Sequence, residues 1–182
     1  EGMTKFVDWN DRSTCVLFGD GAGAVVLTKG DGLLSIKISA NGNTDLLKID
    51  GVIGNCPYTD KKDKNIFLYM NGQEVYKFAV SALFNDITEV ISSAGLVETD
   101  IDFVLPHQAN IRIIEAAKSK LGIAPEKYRS NIDRYGNTSS ASIPILLDEL
   151  NRAGEFKKGN ILALSAFGGG LTTAACIIKW YK

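Results

Sequence analysis

The sequence is poor in the residues that bind metals. It contains one histidine, His107, and three cysteines, Cys15, Cys56 and Cys176, with no Cys-x-x-Cys spacing. Because no cluster of acidic residues compensates, we expect no metal site. The odd number of cysteines, together with a polar start without an apolar signal segment, favours reduced thiols in the cytoplasm.

The sequence also has no large excess of positive or negative charge and no long apolar run. The 20 basic and 21 acidic residues give a formal net charge of −1, so nucleic acid or an anionic membrane is not expected as a partner. No apolar run approaches the ~20 residues that a membrane-spanning helix needs. A length of 182 residues with 45% hydrophobic content is typical of one globular domain with its own core. We therefore expect one domain over residues 1–182.

The spacing of apolar residues predicts alternating strands and helices. Strands are predicted at Thr14 to Phe18, Ala22 to Thr28, Leu33 to Ser39, 101–105, 160–167 and 171–181. Helices are predicted at Gly72 to Ala94, at Ser142 to Arg152, and after His107 with Ile111, Ile114, Ala117 and Leu121 on one face. The ranges 41–65 and 131–140 lack periodicity and are predicted to be loops, the first of them solvated. This order favours an α/β fold in which helices cover a mixed sheet that ends in an antiparallel pair.

One glycine-rich segment matches a nucleotide-binding pattern in its residues but not in the structure predicted to follow it. Residues 19–24 fit the G-x-G-x-x-A fingerprint. That fingerprint needs a helix next, because the helix N-terminus binds the pyrophosphate. The following residues are β-branched and predict a strand, so we exclude a nucleotide site.

Three positions at the ends of predicted elements could carry chemistry. His107 follows a strand that Pro106 is expected to stop, Asn137 lies in a Gly-Asn turn before a helix, and Phe167 precedes three glycines. Each has an ordinary alternative: a local hydrogen bond for the histidine, helix capping for the Ser- and Thr-rich turn, and a hairpin for the glycines. Together they offer neutral side-chain donors and bare backbone N–H groups, which suit a developing enolate or thioester oxyanion.

Four motifs in order resemble those of β-ketoacyl-[acyl carrier protein] synthase III, a thiolase-like condensing enzyme. They are Phe18-Gly19-Asp20-Gly21-Ala22-Gly23-Ala24, Pro106-His107-Gln108-Ala109-Asn110, Tyr135-Gly136-Asn137-Thr138-Ser139 and Phe167-Gly168-Gly169-Gly170. The resemblance extends over nearly the whole chain but over only the C-terminal half of the family's pattern. It implies the C-terminal half of the thiolase-like αβαβα architecture.

The resemblance implies a decarboxylative Claisen condensation of an acyl-CoA primer of the acetyl-CoA type with malonyl-acyl carrier protein, at the initiation of fatty acid synthesis. In this comparison His107 and Asn137 hold the malonyl thioester oxygen, Phe167 is the apolar wall beside the carboxylate, and Gly169 supplies an oxyanion N–H. The remaining residues implied are Met70, Gln73, Tyr76 and Asn110 along the pantetheine tunnel and Arg112 at the carrier-protein contact. Acyl-CoA and malonyl-acyl carrier protein are substrates, so the resemblance also implies no cofactor.

The family's nucleophilic cysteine lies at the start of a buried helix, where the dipole lowers the thiol pKa. Cys15 and Cys176 are predicted in strands and Cys56 in a proline-containing loop, so no nucleophile is assigned and the chain resembles a half-enzyme. Its expected partners are the N-terminal half of the same enzyme, acyl carrier protein, acyl-CoA and, in the full enzyme, a second copy in a homodimer. Without the other half, we expect the apolar faces of the helices at 72–94 and 142–152 to lack cover.

Two other readings of the same residues stay open. One is a polyketide synthase or hydroxymethylglutaryl-CoA synthase of the same superfamily. The other is a module that binds thioesters or carrier proteins without catalysis. Basic residues near His107 suit an acidic carrier protein or CoA phosphates, but they equally suit a solvated helix face; they are Arg112, Lys118, Lys120, Lys127 and Arg129.

Overall fold

The computed structural model describes residues 1–51, 58 and 66–181. Its main sheet has four strands: β1 (Leu33–Ala40), β4 (Phe103–Pro106), β5 (Ile161–Gly168) and β6 (Thr172–Lys179). The order is β1-β6-β5-β4; β6 is antiparallel to both neighbours, and β4 is parallel to β5. All four residues of β4 are buried, as expected for a parallel strand covered on both faces. A second sheet pairs β2 (Leu47–Ile49) with β3 (Leu68–Met70).

Helices cover both faces of the main sheet. On one face lie α1 (Gly72–Ser93) and α2 (Ile111–Lys118), which pack Ile87 and Ile114 against Val104 and Ile177. On the other face lies α4 (Ser142–Arg152), which packs Leu146 and Leu150 against strand residues of β4 and β5. The predicted α/β fold, with a mixed sheet layered between helices, is therefore confirmed.

The capping residues explain where α1 begins and ends. The Asn71 side chain accepts a hydrogen bond from the Glu74 N–H at 3.3 Å, which satisfies one of the free N–H groups of the first turn. Ala94 closes the helix, and Gly95 follows with φ of +69°, a conformation that glycine adopts without steric cost. The predicted bounds of this helix, of α4 and of the last two strands agree with the structure to within about two residues.

The predicted strand at 14–18 is wrong. Residues 12–17 form consecutive turns, because the Asp11 carboxylate accepts hydrogen bonds from Ser13 N–H at 2.9 Å, Ser13 Oγ at 2.6 Å and Thr14 Oγ1 at 2.8 Å. Local side-chain-to-backbone bonds of this kind compete with strand pairing. Cys15 consequently lies in a turn and not in a strand.

The predicted strand at 22–28 is also wrong. None of the described strands pairs with this segment, and its apolar side chains are exposed: Val25 by 62%, Val26 by 92% and Leu27 by 88%. A β-branched sequence needs a neighbouring backbone before it can form a strand, and the described residues do not provide one.

Smaller differences concern the loops. The range 131–140 contains a short helix, α3 (Ile132–Tyr135), and the range 41–65 contains β2. Residues 52–57 and 59–65, which include Cys56 and most of the predicted solvated loop, lie outside the described residues. Pro106 does not stop the ladder: it pairs with Ser165, and the His107 N–H continues the pattern by donating to the Ser165 carbonyl at 2.7 Å.

Two expectations about apolar faces are corrected. Ile111 is 45% exposed while Ile113 is buried, so the buried face of α2 begins two residues later than predicted. The apolar faces of α1 and α4 are not uncovered, since they pack on the two sides of the sheet. Exposed apolar side chains are found instead at Val25 to Leu27 and on β1, at Ile36 and Ile38.

Candidate active site

His107 lies directly after β4, between the end of the sheet and α2. Its backbone is fixed by the bond to Ser165, and its Nδ1 lies 2.7 Å from Ser142 Oγ. The Phe167 ring contacts the imidazole edge-on, with centroids 5.5 Å apart. Burial lowers the pKa of His107 from 6.5 to about 4, because a charged imidazolium would lose its hydration here. The side chain is therefore a neutral imidazole near pH 7.

Asn137 is held by a turn that only glycine fits well. Gly136 has φ of +64°, and a Cβ on it would approach the Leu17 carbonyl oxygen to 3.0 Å. Asn137 N–H donates to Leu17 O, and Gly19 N–H donates to Asn137 O, both at 2.9 Å. The side-chain Oδ1 accepts from Ser139 N–H at 2.9 Å. Among the described residues nothing accepts from Nδ2, so the amide donor remains available.

Phe167 and Gly169 lie where β5 turns toward β6. Phe167 is packed edge-on against Phe78 of α1 as well as against His107, which fixes its ring. A Cβ on Gly169 would lie 3.3 Å from the Leu47 carbonyl oxygen, so glycine permits the close approach of this turn to β2. The Gly169 N–H has no acceptor within the described part of the chain.

These four residues line one cavity of about 550 Å³. Its other walls are largely apolar and come from the small sheet, from α1 and from the turns of residues 12–18. Three of the four predicted tunnel residues, Met70, Tyr76 and Asn110, also line it, whereas the fourth, Gln73, does not and is exposed. Arg112, predicted at the carrier-protein contact, is exposed outside the cavity. His107, Ser139, Phe167 and Gly168 also line a second cavity of about 330 Å³.

Gln108 connects the His107 loop to the loop that leads to Asn137. Its side chain is buried; Nε2 donates to the Pro106 carbonyl at 2.6 Å, and Oε1 accepts from Ser130 Oγ at 2.7 Å and Asn131 N–H at 3.2 Å. Gln108, Pro106 and Asn131 are buried, and only Ser130 is exposed, so breaking these bonds would leave buried polar groups of Gln108 without partners. The connection fixes the relative position of the two donor side chains.

Sequence reasoning missed Ser142 and the role of Gln108. The signal for Ser142 was present, since the cluster of Ser and Thr residues at 138–142 exceeds what a helix cap needs. It could not be assigned because the contact joins residues 35 positions apart. For Gln108 the only signal was its place beside the histidine in the second motif.

Most of the basic residues near His107 have local partners. Lys118 pairs with Glu115 at 2.6 Å, Arg129 with Glu155 at 3.0 Å, and Lys127 donates to the Thr99 carbonyl at 3.0 Å. Arg112 and Lys120 have no ion pair with any described residue. Of the five, these two remain available to a partner.

The two described cysteines do not resemble an activated nucleophile. Cys176 lies in β6, and burial raises its pKa above the ordinary value. Cys15 is half-buried in the turns of residues 12–17. Cys56 lies outside the described residues.

Within the described part of the chain, no three His, Cys, Asp or Glu side chains are grouped so that they could hold a metal ion. Among the same residues, none of the helices combines the length and the apolar character needed to cross a membrane.

Sequence and structure comparisons identify the family. Residues 91–180 match the profile of the 3-oxoacyl-[acyl-carrier-protein] synthase III C terminal, and residues 1–42 match that of 3-oxoacyl-[acyl-carrier-protein] synthase III. The chain belongs to the β-ketoacyl-[acyl-carrier-protein] synthase III family. The resemblance inferred from the four motifs is thereby confirmed.

Individual relatives agree with this assignment. The chain is 44% identical over 186 residues to the β-ketoacyl-[acyl-carrier-protein] synthase III of Clostridium acetobutylicum, a match that includes all of this chain and 57% of that protein. It superposes on the crystal structure of the synthase III from Aquifex aeolicus with a TM-score of 0.87 and 42% identity, over 98% of this chain and 55% of the other. The fold is thus thiolase-like, and the chain spans a little over half the length of the relatives that it matches.

Because His107 is the single histidine of the chain, its lowered pKa can be measured directly. We expect NMR of the single imidazole to give a titration midpoint near pH 4. Below about pH 6.5 the unfolded chain binds a proton that the folded chain does not bind, so the free energy of unfolding should fall as the pH decreases toward 4. His107→Gln should lose this part of the pH dependence. A midpoint near 6.5 would show that the imidazole is hydrated.

Proposed function

We propose that this chain carries the enolate-stabilising half of a β-ketoacyl-[acyl-carrier-protein] synthase III active site. The observation that supports this most strongly is that two uncharged donors, the His107 imidazole and the Asn137 amide, line one apolar cavity. A neutral pair of donors suits an oxygen that becomes negative during the reaction, because fixed dipoles need no reorganisation when the charge develops. The reaction is the condensation of an acyl-CoA primer with malonyl-acyl carrier protein that initiates fatty acid synthesis.

The proposed reaction has two stages. First, a cysteine thiolate elsewhere in the complete enzyme attacks the acyl-CoA thioester, the bond between the carbonyl carbon and the CoA sulfur breaks, and CoA leaves as its thiolate, which takes a proton from solvent. Next, the malonyl group loses carbon dioxide, and the electrons of the broken carbon–carbon bond form an enolate whose oxygen accepts from His107 and Asn137. The enolate carbon then attacks the acyl-cysteine carbonyl, the carbon–sulfur bond breaks, and the thiolate is restored.

The remaining cavity residues have roles that follow from their positions. Phe167 presents an aromatic wall to the malonyl carboxylate, which favours loss of the charge as carbon dioxide. The Gly169 N–H is placed to stabilise the oxyanion formed during acyl transfer. Met70, Tyr76 and Asn110 would line the pantetheine path, and the exposed Gln73 would lie at its outer end.

Arg112 is the residue we assign to carrier-protein docking. It lies in the first turn of α2, two residues after Asn110 of the cavity wall, and makes no ion pair with a described residue. Acyl carrier protein, acyl-CoA, the N-terminal half and a second copy of the enzyme are the partners of the proposal, in the cytoplasm.

We expect Arg112→Glu to raise the KM for malonyl-acyl carrier protein by about tenfold, the equivalent of about 1.4 kcal/mol. The KM for malonyl-pantetheine should stay unchanged, because that substrate lacks the protein surface. Arg152→Glu is the matched control, since Arg152 is an exposed arginine on α4 that pairs locally with Asp148. Equal effects on both substrates would place Arg112 at the thioester and not at the carrier protein.

A second candidate is priming in polyketide synthesis. The priming β-ketosynthase of the R1128 polyketide pathway superposes with a TM-score of 0.84 and 29% identity, over 99% of this chain and 55% of that chain. The same donors would serve there, and only the primer and the carrier protein would differ. Comparing the two types of carrier protein as malonyl donors distinguishes the candidates.

The proposal is tested with the complete enzyme, acetyl-CoA and malonyl-acyl carrier protein. We expect release of carbon dioxide and formation of a β-ketoacyl product. Carrier-protein binding without either product would favour the non-catalytic module, and a hydroxymethylglutaryl product would favour the other branch of the superfamily. Either result would contradict the proposed function.

A further inference from the structure

Ser142, the first residue of α4, makes an unusual contact for a helix start. It is 2% exposed, and its hydroxyl does not cap its own helix. Instead, Ser142 Oγ lies 2.7 Å from His107 Nδ1 and accepts a hydrogen bond from the Gln108 N–H at 3.2 Å. One buried hydroxyl therefore contacts two consecutive residues, His107 and Gln108, of the loop between β4 and α2.

The direction of the bond to the imidazole follows from counting protons. A serine hydroxyl has one proton to donate, and the backbone of Gln108 is already a donor to the oxygen. Among the described residues, the only other hydrogen-bond partner of this hydroxyl is Nδ1 of His107. If Nδ1 were protonated, two N–H groups would point at one oxygen, and the buried hydroxyl proton would lack an acceptor, which costs free energy.

We propose that Ser142 is a positioning residue that holds His107 in its Nε2–H tautomer. The hydroxyl donates to Nδ1, so the proton of the neutral ring must reside on Nε2. No described residue bonds to Nε2, and this nitrogen is therefore the donor offered to the cavity. The tautomer stands on the contacts alone; its catalytic consequence depends on the proposed function.

The surroundings hold both partners of this contact in place. The Gln108 side chain is held by hydrogen bonds to Pro106, Ser130 and Asn131, and this anchors the residue whose backbone N–H donates to Ser142. Phe167 lies edge-on to the imidazole and restricts its rotation. A ring flip that exchanged the two nitrogens would have to break the Ser142 contact and displace this packing.

The first test is spectroscopic and needs no activity. In this chain, labelled with ¹⁵N-histidine, the two nitrogen shifts of the single imidazole report which nitrogen carries the proton at pH 7. We expect a uniform Nε2–H form in the wild type and in Ser142→Thr, which keeps a hydroxyl. Ser142→Ala should give a mixture of tautomers, and Ser119→Ala, which removes a serine hydroxyl that bonds only within its own helix, should give the wild-type spectrum.

The wild-type spectrum is decisive even if a variant fails to fold, because an Nδ1–H form would overturn the proposal. An unchanged tautomer in folded Ser142→Ala would overturn it as well.

The second test separates this inference from the proposed function. In the complete enzyme we expect Ser142→Ala to slow malonyl decarboxylation about tenfold, which corresponds to one net hydrogen bond, and Ser142→Thr to restore it. Acyl transfer to the cysteine should not change. If the spectra agree with the Nε2–H form but His107→Ala decarboxylates normally, Ser142 positions the ring and the proposed function of His107 is wrong.

Discussion

In the complete enzyme, His107→Ala should slow malonyl decarboxylation and condensation by about 10²–10³-fold, the usual cost of removing one preorganised oxyanion donor. The cavity gives the enolate oxygen two side-chain donors, and alanine leaves only the Asn137 amide. Acyl transfer to the cysteine should be comparatively intact, because its oxyanion is assigned to the Gly169 N–H. Release of labelled carbon dioxide and formation of the acyl-enzyme measure the two stages separately.

Two further variants test the assignment of His107 to decarboxylation and condensation and not to acyl transfer. Asn137→Ala should show the same pattern, since it removes the other donor without touching the imidazole. Lys158→Ala, at an exposed lysine in the loop before β5, should leave both stages unchanged. If acyl transfer fell as far as condensation in His107→Ala, the histidine would serve both stages and the assignment to the enolate would be wrong.

The elements that the sequence predicted well are those whose signals are local. Helix α1 carries its own cap at Asn71 and its own stop at Gly95, and its buried positions recur at helical spacing. The strands β5 and β6 are joined by a glycine turn, so their antiparallel pairing follows from chain order. Such elements need no information from distant parts of the chain.

The failed strands needed such information. At 14–18 the apolar residues suggested a strand, but hydrogen bonds that the Asp11 carboxylate accepts from Ser13 and Thr14 stabilise turns there instead. At 22–28 the pattern is that of a strand, yet strand formation depends on a neighbour that the described residues do not supply. The small sheet of β2 and β3 was missed because each strand has only three residues.

The site was predictable to a similar degree. His107, Asn137 and Phe167 stand at element ends with distinctive turn residues, and the structure brings them to one cavity. Gln73 differs from the other proposed tunnel residues, because it does not line the cavity. Gly72, Val75 and Tyr76 line the cavity at positions i, i+3 and i+4 of α1, and Gln73 is rotated about 100° from that face.

The chain alone should form no acyl-enzyme. Acyl transfer requires a thiolate, and thiolates persist near pH 7 only where a helix N-terminus or a nearby cation lowers the thiol pKa. Cys176 has the opposite environment, because burial in β6 raises its pKa. Cys15 lies in the turns of residues 12–17 and not at the start of a helix. In the proposed reaction, the donors of this chain would stabilise the enolate, and the acyl group that the enolate attacks would be carried by a cysteine elsewhere in the complete enzyme.

Incubating the purified chain with radiolabelled acetyl-CoA tests this expectation, and the complete enzyme serves as the positive control. We expect label on the complete enzyme only, and its release by hydroxylamine would identify a thioester. The triple variant Cys15→Ser, Cys56→Ser, Cys176→Ser in the complete enzyme should still be labelled, because none of the three is the proposed nucleophile. Label on the isolated chain that disappears with one of these substitutions would identify a nucleophile here, and the active site would then have to be redrawn around that cysteine.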